Sequence, residues 1–140
     1  MKWCLTKEQT EQAMKAGAPV NRSVLTAYQE VLDSHPYKYE NGEYIIYDNL
    51  SISDLWARIP MFIAPNGNFG TFNIDKKNGK WQAAYDGNDG KIIFSSNDRD
   101  EEIDALFDAY MFLITFGNEN RFDPEEEIDN DGDYFFTGKV

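Results

Sequence analysis

A chain of 140 residues with 41% hydrophobic and 15% aromatic side chains has the size of one domain, residues 1–140, and enough apolar surface for a single core. Its 25 acidic residues against 13 basic ones give a net charge of -12, which opposes approach to phosphate backbones and anionic lipid and argues against direct nucleic-acid binding. No apolar run reaches the roughly 18 residues of a membrane helix, the start turns polar after Leu5 without a secretory h-region, and the single Cys4 forms no internal disulfide, so a cytoplasmic, reducing setting is expected.

Thr6 with Gln9 three residues later forms a capping box for a short helix that Gly17 and Pro19 close. Asn21 or Ser23 caps a second expected helix, with Val24, Leu25, Tyr28, Val31 and Leu32 at helical spacing until Ser34-His35-Pro36 stops it. The texture then changes. Tyr37 to Glu40 and Glu43 to Tyr47 are aromatic and β-branched runs flanking Asn41-Gly42, the dipeptide best suited to a type I′ hairpin turn. Ser51 or Ser53 caps a short helical turn that directs Ile52, Leu55, Trp56 and Ile59 inward and ends at Pro60.

Four strand-like runs follow, Met61 to Ala64, Phe69 to Asp75, Lys80 to Tyr85 and Lys91 to Ser95, separated by short Gly- and Asn-rich turns. Connections this short cannot make parallel crossovers, so an antiparallel meander is predicted. Asp98 with Glu101 caps a long helix in which Ile103, Leu106, Phe107, Tyr110, Leu113 and Ile114 share one face, the opposite face carries Asp100, Glu101, Glu102, Asp104 and Asp108, and Gly117 ends the helix. The fold class is therefore α+β: an antiparallel sheet, hairpin plus four-strand meander, packed against N-terminal helices and a long acidic helix.

Residues 118–140 form an acidic tail that also contains Phe122, Ile128, Tyr134, Phe135 and Phe136. A merely solvated tail has little use for these, so part of it is expected to fold back on the domain or touch a partner. Between Asp98 and Asp133 fourteen acids face only Arg99 and Arg121; this stretch holds the entire -12 and the rest of the chain balances at zero.

Chemical signatures are sparse. One cysteine, Cys4, and one histidine, His35, are too few for a zinc site. They read as a small buried apolar residue and a helix-end histidine more readily than as a nucleophilic pair. Asp129, Asp131 and Gly132 fit a calcium-binding loop, but Glu127 stands at its first position in place of Asp and Gly138 where its bidentate glutamate belongs, so no metal or cofactor is expected. Phosphate-, dinucleotide- and nucleophile-binding motifs are absent from the sequence.

In an extended strand Asp129, Asp131 and Asp133 would lie on one side about 6.6 to 6.8 Å apart, a spacing comparable with that of phosphates along a nucleic-acid strand. In size and charge the chain resembles nuclease immunity proteins and phage anti-restriction and anti-CRISPR proteins, a likeness of kind that transfers no residues. The resulting expectation is a non-enzymatic inhibitory or binding protein, monomer or homodimer, that docks on a basic protein such as a nuclease or nucleic-acid-binding complex. The contact residues expected are Asp100, Glu101, Asp104, Asp108, Glu125, Glu126, Glu127, Asp129, Asp131 and Asp133, with Phe122 and Tyr134 as anchors. The alternative is a small-ligand binder or hydrolase whose site between sheet and helices is lined by Trp56, Phe72, Trp81 and Tyr85 and uses an Asp or Glu.

Overall fold

The computed structural model describes residues 1–24, 28–65, 68–120 and 135–137, with 117–120 and 135–137 described by their backbone. Among the described residues, four helices and two sheets make an α+β architecture.

Helix α1, Lys7–Lys15, begins at a complete capping box: Gln9 N–H donates to Thr6 Oγ1 at 3.1 Å, and the Gln9 side chain accepts from Thr6 N–H at 3.0 Å. The next segment departs from the expected helix. Arg22–Val24 is strand β1, Leu25 lies outside the described residues, and α2 is confined to Gln29–Ser34 with none of its residues buried. Pairing of Arg22, Ser23 and Val24 with Tyr47, Ile46 and Ile45 takes these backbone groups into a sheet, a non-local competitor that helical spacing alone does not reveal.

Strands β2, Tyr37–Glu40, and β3, Glu43–Tyr47, form the hairpin at the boundaries the sequence indicated. Asn41 and Gly42 both take positive φ, 53° and 79°, as a type I′ turn requires. With β1 on the far side of β3, the hairpin becomes a separate three-stranded sheet in the order β1-β3-β2 and does not continue into the meander. Helix α3, Ile52–Arg58, has a second capping box between Ser51 and Asp54 and buries Leu55; Trp56, expected inward, is 38% exposed.

The meander consists of β4 (Phe62–Ala64), β5 (Gly70–Lys77), β6 (Lys80–Gly87) and β7 (Ile92–Ser95), antiparallel throughout. A further strand, β8 (Phe135–Thr137), pairs parallel with β4 at the sheet edge. Helix α4, Glu102–Asn120, packs on β6, β7 and α3. It starts at Glu102, later than the Asp98 cap implied. Arg99 exchanges both backbone hydrogen bonds with Trp81 at 2.6 and 2.8 Å, which ties this residue to the sheet edge in place of a helical turn.

Ile103, Leu106, Phe107, Tyr110, Leu113 and Ile114 are all buried, and so are Ala105 and Ala109. The helix is thus covered on more than one face: Phe112 meets Phe94 and Tyr85 of the sheet, and Leu5, Ala13 and Leu55 complete the core around it. Truncating a fully buried leucine such as Leu106 to alanine costs about 2–5 kcal/mol in such a setting. No described helix is long and apolar enough to cross a membrane.

Candidate functional site

Of the five acids expected on the outer face of the helix, Glu102, Asp104 and Asp108 lie on α4 while Asp100 and Glu101 precede it, and four of them, Asp100, Glu101, Asp104 and Asp108, have a partner within the chain. Lys80 Nζ donates to Asp100, the most solvent-exposed of the four. The backbone N–H of Lys2 donates to Glu101 Oε2 at 3.3 Å. Asp104 Oδ1 accepts from Lys2 Nζ at 2.7 Å and from Gln9 Nε2 at 2.9 Å. Asp108 Oδ2 lies 3.3 Å from Arg99 Nε.

These contacts set opposite protonation tendencies in the two aspartates. Burial pushes the Asp104 carboxyl up, but hydrogen bonds from Gln9 and Lys2, with the charges of Lys2 and Arg99, outweigh it and hold the group below its ordinary value. For Asp108 burial dominates; Arg99 offsets only part of it and Asp104 adds repulsion, so its carboxyl is raised. Lys2, Gln9, Lys80 and Arg99 thus belong to the same electrostatic arrangement as the helix acids. The sequence carries the charges of Lys2, Lys80 and Arg99 but gives no sign that Lys2 and Gln9, near the start of the chain, meet α4.

The remaining expected contact residues, Phe122, Glu125, Glu126, Glu127, Asp129, Asp131, Asp133 and Tyr134, lie outside the described residues. They belong to segment 121–134, which connects α4 to β8. With Glu119, this stretch of sequence carries eight acids and the single Arg121 between positions 119 and 133.

The aromatics considered for a ligand site do not act as one group. Phe72 and Tyr85 are core residues with ring centroids 5.1 Å apart. Trp56 sits edge-on to Phe72, and Trp81 lies under the Lys76 ammonium at 5.6 Å.

A polar cleft of about 420 Å³ does bring Cys4 and His35 together, with Asp48, Asn49, Asp54 and Arg58 on its walls. Cys4, expected to be buried, is exposed, and three of the polar side chains, His35, Asp54 and Arg58, have structural tasks. His35 Nδ1 contacts Ser34 Oγ at 2.8 Å and the Val31 carbonyl at 3.3 Å. Asp54 accepts from Ser51 N–H in the α3 cap, and Arg58 donates to the Pro19 carbonyl and to Tyr110 Oη. This cleft presents no assembled nucleophile and base. Among the described residues, no three His, Cys, Asp or Glu side chains gather in a way that could hold a metal ion.

No protein-family model, curated protein or solved structure matches the chain.

Proposed function

We propose that the protein is a non-enzymatic binding or inhibitory protein whose acidic segment, 119–133, docks on a basic protein surface, of the kind found on nucleases and nucleic-acid-binding complexes. The observation that carries this reading is the division of labour among the acids. Asp100, Glu101, Asp104 and Asp108 are engaged by Lys80, Lys2, Gln9 and Arg99, so three of the domain's cations, Lys2, Lys80 and Arg99, are held by these acids. Segment 119–133, with eight acids against Arg121, carries seven of the chain's twelve net negative charges, and charge so concentrated hastens encounter with a cationic partner and selects against anionic ones. Glu125, Glu126, Glu127, Asp129, Asp131 and Asp133 serve as acceptors for Lys and Arg, with Phe122 and Tyr134 as apolar anchors among them.

The test is affinity capture from lysate of the native host and of competing strains or phage, with elution by a salt gradient. A basic nuclease or nucleic-acid-binding protein should be retained at low salt, released as salt rises, and lost when Asp129, Asp131 and Asp133 are changed together to asparagine. Equal capture by that triple variant would overturn the reading.

A further inference from the structure

The free edge of the small sheet supports an inference independent of the acidic segment: we propose that β2 is a self-pairing edge through which two copies of the chain associate about a two-fold axis.

The backbone fixes which groups are on offer. Tyr47 N–H donates to the Pro36 carbonyl at 2.9 Å, and Pro36 and Tyr47 are therefore a hydrogen-bonded pair. By the alternation of an antiparallel ladder, Lys38 with Ile45 and Glu40 with Glu43 are the next such pairs, and the N–H and C=O groups of Tyr37 and Tyr39 point away from β3. Among the described residues no strand pairs with that side of β2, and all four β2 residues are exposed.

The side chains select one register. If Tyr39 lies opposite Tyr39 of the second copy, these two residues exchange two backbone hydrogen bonds, each N–H donating to the other's carbonyl. In the same register Lys38 of each copy falls directly opposite Glu40 of the other, in the closer, non-hydrogen-bonded pairs, and two ion pairs flank the central tyrosines. A shift of two residues in total one way sets Lys38 against Lys38, and the other way Glu40 against Glu40. A lone lysine on an edge discourages pairing; Lys38 and Glu40 on either side of Tyr39 make the edge self-complementary.

Lys38 and Glu40 already attract one another within the strand, with Nζ and Oε2 3.1 Å apart, so both charges stand on one face of β2. Pairing also extends a sheet that is meagre alone. Of its three strands only Ile46 is buried, while Val24 is 60% and Tyr39 62% exposed. Two copies give six continuous strands, with the aromatic row of Tyr37, Tyr39 and Tyr44 repeated across the axis.

The experiment is sedimentation velocity of the full chain over a range of concentrations at about 0.15 M salt, where screening beyond roughly 8 Å limits general charge effects. The expected result is a concentration-dependent dimer. Lys38→Glu and Glu40→Lys should each weaken it by roughly tenfold or more, since both flanking pairs become like-charged. The double variant K38E/E40K should restore it, and an equimolar mixture of the two single variants should form a heterodimer. Thermal melts of the variants keep loss of fold separate from loss of association. A chain that stays monomeric at every concentration overturns the proposal, and so does a dimer indifferent to these charge changes or a charge-sensitive one that neither the double variant nor the mixture restores.

Discussion

Asp104 of α4 and Lys2 form an ion pair at 2.7 Å across 102 positions of sequence, and Gln9 of α1 bonds the same carboxylate oxygen. The pair sits beside the lacing of the chain's start to α3, in which Leu5 N–H donates to the Leu50 carbonyl and Ile52 N–H to the Trp3 carbonyl, both at 2.8 Å. Asp104 therefore acts less as a display residue of an acidic face than as the point at which α1, α4 and the N-terminal segment are joined.

Asp104→Asn should lower stability by about 1 kcal/mol at neutral pH, because a charge-assisted bond to Lys2 becomes a neutral one. The sign of the pH dependence follows from the lowered carboxyl. Its contribution is complete above the ordinary carboxylate pKa and is lost as pH falls through the lowered one, so wild type and variant should converge in strong acid.

Asp108 has the opposite sign: its raised carboxyl makes the ionised form a cost in the folded state, a cost relieved as pH falls through the raised value. Asp108→Asn should accordingly destabilise less than Asp104→Asn at neutral pH. Urea unfolding of both variants across the acid range checks this, and equal losses at neutral pH would contradict the assignment.

Two glycines are required for different reasons, and substitution separates them. Gly42 has open space where a Cβ would stand, and its constraint is the φ of 79° alone. Gly42→Ala should cost about 1–2 kcal/mol from left-handed backbone strain, and Gly42→Asn should recover part of it, as Asn41 beside it shows by adopting φ 53°. Gly87 is limited by contact instead. A Cβ there would meet the Lys91 carbonyl oxygen at 2.6 Å, the same atom that accepts Gly87 N–H at 2.7 Å. Gly87→Ala should cost about 1–3 kcal/mol, and asparagine should bring no recovery there. Denaturant midpoints of the four variants give the comparison.

The elements legible in the sequence were those with local chemical causes. Asn41-Gly42 fixed the hairpin turn, Thr6 with Gln9 the start of α1, and the apolar stripe from Ile103 to Ile114 the buried face of α4. What escaped sequence reading was set by non-local pairing. Val24 belongs to a helical pattern until Ile45 supplies a strand partner, and Asp98 looks like a cap until Trp81 holds Arg99 extended. The candidate site divides in the same way. The excess of acids was visible by counting, whereas the capture of Asp104 by Lys2 and of Asp108 by Arg99 depends on segments brought together by the core.

Ser96 is one of the few buried polar side chains, and its hydroxyl has two tasks: it accepts from Ala83 N–H at 2.9 Å and donates to the Asn97 carbonyl at 2.9 Å. Ser96→Ala leaves the buried Ala83 N–H and the part-buried Asn97 carbonyl without that partner. A loss of about 1–3 kcal/mol is expected, with faster amide exchange at Ala83 as the local sign. Unchanged protection at Ala83 would show that the hydroxyl is not what satisfies it.

Tyr85 links core packing to alkaline stability. Its ring is fully buried between Phe72 and Phe112, and its hydroxyl donates to the Pro60 carbonyl at the end of α3. Burial pushes the phenol well above its ordinary value, so above that value the unfolded chain releases a proton that the folded chain retains. Stability from this group is therefore complete below the ordinary phenol pKa and declines as pH rises beyond it. Tyr85→Phe keeps the ring but removes the hydroxyl: at neutral pH it should cost about 1–2 kcal/mol through the Pro60 carbonyl, and at high pH the alkaline decline should become shallower. Thermal melts of both proteins from neutral to strongly alkaline pH test the two effects together. Parallel curves would mean that Tyr85 ionises in the folded state and that its hydroxyl is not held as described.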